Sequence, residues 1–322
     1  MAKDGGARET SMAAADLTDP SDAALFRLLE RLGTAGYRFT TPAPSTYRRI
    51  LLRRLGRKAV SLDDLFGWGM PFDQRDLDPA IIEPLRTAKA LRRRGGRWSS
   101  TVGVASVGDR LFLHSAFRSG KDHVFFGPDS YRFVDFLRAE PAPGPGATVL
   151  DLGAGSGVGG IVAARAGASL VLADVNAQAL RFARLNAAFA GLTPTLRHTG
   201  EVPAADGPFD LIVANPPYIA GSGLTYSDGG GALGAEISLE WARTALPRLK
   251  PGGRLLLYTG AAITRGRDPM REGLEGMAKT ADCDLRYREL DPDVFPGTLL
   301  RPRYWGVERI AAVGAVVTKR SA

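Results

Sequence analysis

Three short stretches carry residues whose types and spacing suit chemistry. "VLDLGAGSGVGG" (149–160) places Gly153, Gly155 and Gly157 at alternate positions, just after Asp151. Glycines so spaced let a backbone turn tightly and come close to a ligand. "LADVN" (172–176) ends an apolar run on Asp174. A carboxylate at that point can accept two hydrogen bonds from a ribose diol. "NPPY" (215–218) closes the apolar run "DLIVA" with two prolines. Proline has no amide hydrogen, so a strand must stop there, with Asn215 at its tip and Tyr218 just beyond. A plain turn would use glycine. The position instead combines a fixed backbone, an amide side chain and a ring.

The glycine spacing discriminates between two ligand classes. A dinucleotide site favours G-x-G-x-x-G, with a pyrophosphate over a helix N-terminus. Here the spacing is G-x-G-x-G, and Asp151 would repel a pyrophosphate. The same carboxylate is favourable beside a cation such as an ammonium or a sulfonium. That argues against a nicotinamide cofactor.

These motifs need elements to hold them. From Thr148 onward, strands and helices alternate. "TVLDLG", "SLVLADV", "TPTLRHT", "FDLIVAN", "RLLLYTG", "CDLRYREL" and "IAAVGAVVTK" read as strands. A helix from about Ser156, "NAQALRFARLNAAFAG" and "ISLEWARTALPRLK" read as helices, the second capped by Asn176 and stopped by Gly191. Such alternation implies an α/β unit with a mainly parallel sheet covered on both faces. Ligands of these sheets bind beyond the carboxyl ends of the strands, where strand order reverses.

The first part of the chain reads differently. Residues 1–20 are small and polar and are expected to be a disordered tail. Helices are expected from Asp22 to Leu32, from Ser45 to Leu55, at Ser61 and within "LDPAIIEPLRTAKALRRRG". "TVGVASV" and "RLFLHSAF" form a hairpin around Gly108-Asp109, and "DHVFF" is expected as a third strand. The expected organisation is thus a tail (1–20), a smaller N-terminal α+β substrate-recognition domain (21–124) and a catalytic domain (125–322).

Composition narrows the classes. The 322 residues carry a formal net charge of +8, which suits nucleic acid, a ribosome or another anionic partner. The lone cysteine rules out an intrachain disulfide, and the three histidines lie at no metal-ligand spacing, so no metal is expected. The N-terminus has no apolar core of a secretory signal, and no apolar run is long enough to span a bilayer. A cytoplasmic location is expected. The sequence gives no indication of oligomeric state.

"VLDLGAGSG", "LADVN" and "NPPY", in this order and spacing, resemble the class I S-adenosylmethionine-dependent methyltransferases. They are most similar to the NPPY group, which includes release-factor glutamine methyltransferases, adenine-N6 DNA methyltransferases and small-domain rRNA guanine-N2 methyltransferases. The resemblance spans about Phe125 to Thr318 and implies a seven-stranded Rossmann-like sheet. It implies that Asp151 serves the cofactor's amino group through water or the loop backbone. Gly153 and Gly155 would line the methionine part, beside Gly157. Asp174 would hold the ribose hydroxyls and Val175 would pack on the adenine. Glu201 stands in for an aspartate that relatives place against the adenine amine. "FFGPDSYRF" (125–133) resembles a segment before the loop, so Phe126 and Gly127 are expected at the methionine end.

The acceptor in this group is a planar nitrogen, either an exocyclic base amine or a carboxamide. Its delocalised lone pair is a poor nucleophile, and its protons are hardly acidic before transfer. Two acceptors that hold both N–H bonds would orient it. The Asn215 side chain, also expected beside the cofactor, is one. The Pro216 carbonyl is the other, with Pro217 stiffening the turn and Tyr218 stacking on the acceptor. A glycine-rich loop follows (221–234), with Tyr226 and Asp228 expected at the substrate.

Two acceptors stay open: a glutamine side chain of a translation protein, and a nucleobase amine of rRNA or DNA. Arg48, Arg49, Arg53, Arg54, Arg92, Arg93, Arg94 and Arg97 would track phosphates in the second case. The alternative of another class is an inactive cofactor-binding scaffold or a nucleic-acid-binding protein.

Overall fold

The computed structural model describes residues 17–117, 122–165, 167–220, 229–231 and 233–321. Asp19 starts the first helix, its carboxylate accepting from the backbone of Ser21 and Asp22. Helix α1 (Pro20–Thr34) buries Leu25, Leu28, Leu29 and Leu32 along one stripe. Helix α2 (Pro44–Arg53) begins one residue before the expected Ser45, at a proline whose fixed φ suits a first turn. Asp63–Gly67 forms one wide helical turn, and α3 spans Pro79–Thr87.

The helix expected within residues 77–95 is α3, and the arginine run that follows it is a strand. Lys89, at φ 52°, ends the helix, and β1 (Leu91–Arg94) pairs antiparallel with β2 (Arg97–Ser100). Gly95 and Gly96, at φ 56° and 81°, make the turn, a conformation that side chains resist at both positions of a tight hairpin. The second hairpin is as expected, β3 (Val102–Val107) with β4 (Arg110–Ser115). "DHVFF" is not a strand. A single backbone bond from Ser115 to Val124, plus one from Val124 to the Ser115 hydroxyl, holds it to β4.

Helix α4 (Pro128–Arg138) then leads to the large sheet. Its elements in order are β5 (Thr148–Leu152), α5 (Val158–Ala163), β6 (Ser169–Asp174), α6 (Ala177–Phe189), β7 (Thr195–His198), β8 (Phe209–Ala214), α7 (Glu236–Ala245), β9 (Leu249–Ile263), α8 (Pro269–Thr280), β10 (Cys283–Asp291) and β11 (Arg309–Lys319). The seven strands lie in the order β10-β11-β9-β8-β5-β6-β7. β5 to β9 are mutually parallel, and β11 inserts antiparallel between β9 and β10.

Alternate strand residues go to opposite faces. Val149, Leu211, Val213 and Leu256 pack with α4, α5 and α6. Leu150, Leu152, Ile212 and Leu257 pack with α7 and α8. The N-terminal part has a core of its own, yet Ala179, Phe182 and Leu185 of α6 belong to it. Asp22 reinforces this junction through ion pairs with Arg181 and Arg184. Among the described residues, no helix is long and apolar enough to cross a membrane.

Candidate active site

The chain order turns back at β5: β6 and β7 extend the sheet one way, and β8 starts the other side. Pairing places Leu152 opposite both Ala173 and Ala214. The next residues, Gly153, Asp174 and Asn215, therefore leave three adjacent strands at one level. Neighbouring strands are about 4.8 Å apart, so Asp174 and Asn215 flank the glycine loop about 10 Å from each other.

Gly153 has φ 71°, and its backbone N–H donates to the Ala173 carbonyl at 2.9 Å. The Trp241 ring of α7 stands directly over it, and a Cβ there would meet that ring at 2.3 Å. Gly155, φ 55°, is open among the described residues: a Cβ would meet none of their atoms nearer than the Gly153 carbonyl oxygen at 4.0 Å. That space leaves room for a ligand over the loop. Gly157 has a different reason for being glycine. It caps α5 at φ 77°, and a Cβ would press on Ala183 at 3.0 Å.

Asp174 lies between the loop and α6. Its Oδ2 accepts from the Gly155 N–H at 2.8 Å and its Oδ1 from Asn176 at 2.8 Å. Burial pushes its carboxyl up from the usual range, while the Asn176 and Gly155 amides and His198 pull it back. The Val175 amide adds a further pull, and the carboxylate still keeps a lone pair to accept from a diol. Val175 beside it is 59% exposed, an uncovered apolar surface suited to a flat ring. Glu201 is exposed beyond β7. Replacing Asp174 with alanine is expected to weaken cofactor binding by about 1.5–3 kcal/mol, the worth of a charged acceptor. Calorimetry reads this directly, and unchanged affinity would remove the ribose assignment.

Asp151 is 2% exposed, and its Oδ2 accepts from the Gly160 N–H at 2.7 Å. It thus ties β5 to the start of α5 under the loop. Burial pushes its carboxyl up from 3.8 to about 7, with Asp174 adding to the rise and the Gly160 bond opposing it. Between those two values the folded chain keeps a proton that the unfolded chain has lost. The contribution of this group to stability is therefore full below pH 3.8 and lost as pH rises through about 7. Asp151→Asn, which retains an oxygen for Gly160, should abolish that decline. Urea denaturation at pH 5 and pH 8 should show the variant gaining on the wild type at the higher pH. A constant difference would contradict it.

Asn215 is half-buried at the end of β8, and its side chain makes no hydrogen bond to a described residue. Pro216 is buried and Pro217 half-buried. Tyr218 departs from expectation. It is 6% exposed, its hydroxyl donates to Asp129 Oδ2 at 2.7 Å, and its ring covers Gly260, where a Cβ would collide at 2.2 Å. The ring anchors the turn and is not an open stacking face.

The anchor itself was not visible in the sequence reading. Asp129, in the first turn of α4, accepts from Tyr218 and, through Oδ1, from Tyr258 of β9 at 3.0 Å. Arg132 approaches Oδ1 at 3.4 Å and pairs with Asp291 at 2.9 Å. Burial pushes the Asp129 carboxyl up, against the two tyrosyl hydroxyls and Arg132. Both tyrosines are pushed far above their usual range by burial and by this carboxylate. A "GPDS" helix start was the one local signal available.

Phe126 and Gly127, expected at the methionine end, both have packing roles at the start of α4. Phe126 is buried with its ring 5.9 Å from Phe112, 5.6 Å from His114 and 5.5 Å from Tyr131. Gly127 caps α4, and a Cβ would meet Phe125 at 2.6 Å.

The arginines divide. Arg48, Arg49 and Arg53 are exposed on α2 and form no ion pair with described residues. Arg54 is committed to structure: it pairs with Asp64 at 2.7 Å and covers Trp68. Arg92 and Arg93 are exposed on the first hairpin, and Arg97 donates to the Gly56 carbonyl at 2.9 Å. The side chain of Arg94, with Tyr226 and Asp228, lies outside the described residues. Among those described, no cluster of His, Cys, Asp and Glu could hold a metal ion.

Residues 133–263 match the methyltransferase small domain family. The chain is 36% identical over 250 residues to the release factor glutamine methyltransferase of Cereibacter sphaeroides, covering 70% of this chain and 87% of that protein. It is also 36% identical over 146 residues to the ribosomal RNA small subunit methyltransferase C of Pseudomonas aeruginosa, covering 41% of this chain and 40% of that one. Among solved structures, PH0793 from Pyrococcus horikoshii has the same fold, with a TM-score of 0.50 at 14% identity over 87% of this chain and 100% of that one.

Proposed function

The chain belongs to the class I S-adenosylmethionine-dependent methyltransferases with a methyltransferase small domain, and on that basis we propose that its acceptor is a glutamine side-chain amide in a protein of translation. The observation that carries the reading is the pairing of an Asn215 side chain that has no hydrogen-bond partner among the described residues with a tethered Tyr218. A nucleobase acceptor profits from an aromatic stacking face. Tyr218 does not offer one, because Asp129 and Gly260 hold its ring in the core. A carboxamide needs only its two N–H bonds held. Likeness to a release factor glutamine methyltransferase along most of that protein's length supports the same choice.

In this reading the residues divide the work by position. Asp174 and Val175 hold the nucleoside, and the Gly153–Gly155 backbone borders the methionine part. Bound there, the cofactor supplies an electrophilic methyl group. The Asn215 Oδ1 and the Pro216 carbonyl accept the two amide N–H bonds and aim the nitrogen. Alignment supplies much of the rate. The nitrogen becomes acidic as the new N–C bond forms and loses a proton to water. An acceptor in translation implies a cytoplasmic enzyme.

The exposed Arg48, Arg49 and Arg53 favour a second reading, methylation of a base amine in RNA. Methyl-labelled cofactor incubated with purified release factor and, separately, with total RNA decides between them. Label on a glutamine of the protein, located by mass spectrometry, is the expected result. Label confined to RNA would overturn it.

A further inference from the structure

Residues 292–308 join β10 to β11 on the same side of the sheet as the candidate site. β10 ends at Asp291 opposite Ala312, and β11 starts at Arg309 opposite Ile263, the last residue of β9. Because β9 continues from Leu257, level with Ala214, to Ile263, the connection rises beyond the level at which Asn215 leaves β8. It is fastened to the NPPY segment at two places. The Tyr304 hydroxyl accepts from the Ala220 N–H at 2.8 Å, and the Phe295 ring lies 6.0 Å from that of Tyr218. Phe295 holds a left-handed φ of 57°, an unfavourable conformation for an aromatic residue.

The inner side of this connection is buried through Val294, Thr298 and Tyr304. Its outer side is not what a solvated loop requires. Leu300 is 83% exposed and Trp305 is 78% exposed, with exposed Arg301 and Arg303 between them. Neither arginine forms an ion pair with a described residue. Trp and Arg are the side chains that most often dominate binding energy between proteins. The formal charges within 292–308 cancel, Asp293 and Glu308 against Arg301 and Arg303. A surface for a phosphate backbone would be expected to carry an excess of positive charge.

We propose that the 292–308 connection is a docking ridge for the polypeptide that presents the acceptor side chain. Leu300 and Trp305 take its apolar residues, and Arg301 and Arg303 take acidic side chains or carbonyl oxygens beside them. The proposal rests on the protein-acceptor reading, and it places recognition next to the acceptor itself.

The test uses the full chain with purified release factor as acceptor. Trp305→Ala and the double variant Arg301→Ala, Arg303→Ala are compared with the wild type. Each is expected to raise KM for the protein acceptor about tenfold or more, leaving cofactor affinity by calorimetry unchanged. Because all three side chains are exposed, a normal melting temperature is expected and serves as the control for folding. Wild-type methylation of glutamine with an unchanged KM in both variants would overturn the ridge and leave the acceptor reading standing. Wild-type labelling of RNA in place of the protein would overturn the acceptor reading, and the polypeptide occupant with it.

Discussion

Asn215→Ala is expected to lower turnover about 10²–10³-fold, comparable to the loss of one preorganised hydrogen-bonding group in other active sites, while cofactor affinity stays near normal. Asn215 sits beyond β8, two strands from Asp174, so the proposed ribose contact does not depend on it. Its bond to the acceptor strengthens as the nitrogen gains positive character. The loss therefore falls on the transition state and not on the bound ground state. Asn215→Asp sharpens the question. It keeps an acceptor of nearly the same shape, adds a charge and removes the NH₂ donor. Partial activity would assign the essential role to the oxygen; complete loss would point to the amide NH₂ or to the cost of the charge. Single-turnover transfer with parallel cofactor binding separates these outcomes. Normal transfer by the alanine variant would sink the role given to NPPY.

The second large effect is expected at Asp129, which does not touch the acceptor. Truncation to alanine leaves the Tyr218 and Tyr258 hydroxyls, 6% and 0% exposed at the residue level, without their shared acceptor. An orphaned buried hydroxyl costs roughly 1–3 kcal/mol. The pair shares one cavity, so the costs should not simply add, and a loss of about 2–4 kcal/mol in urea is expected. Turnover should fall at least about tenfold as well, because Tyr218 fixes the exit of the turn that aims Asn215. Tyr218→Phe removes one hydroxyl and keeps the ring on Gly260, so its loss should be smaller in both measurements. Alanine at 129 with wild-type stability and turnover would show that the two tyrosines need no anchor.

The elements that carry the candidate cofactor residues were legible because their signals are local. Gly153, Asp174 and Asn215 each end a strand, and each strand is an apolar run that a reader can delimit. Of the other strands, β9 and β11 were identifiable as apolar runs, while β7 and β10, more polar and more exposed, were read from shorter signals. What stayed hidden depends on distance or on competing local preferences. Asp129 meets Tyr218 across 89 positions and Tyr258 across 129. No periodicity records such a contact. Arg92–Arg94 lie in a stretch expected to contain a helix, and no strand was expected there. Two consecutive glycines with positive φ instead made a hairpin. Arg54 was grouped with its neighbours by charge, and only the fold reveals that Asp64 and Trp68 claim it. The resemblance placed Phe126 by its segment alone, and a matching segment does not say which way a ring turns.

The placement of Trp241 over Gly153 has an optical consequence. The chain has four tryptophans, and the other three are spread over the wide turn beside Gly67, strand β2 and the β10–β11 connection. Trp241 alone is in contact with the glycine loop, so its emission is the one most directly coupled to events there. A Trp241→Phe chain supplies the background spectrum. The difference is an intrinsic fluorescence signal for occupancy of the loop, usable in stopped flow without a label and before any acceptor is chosen.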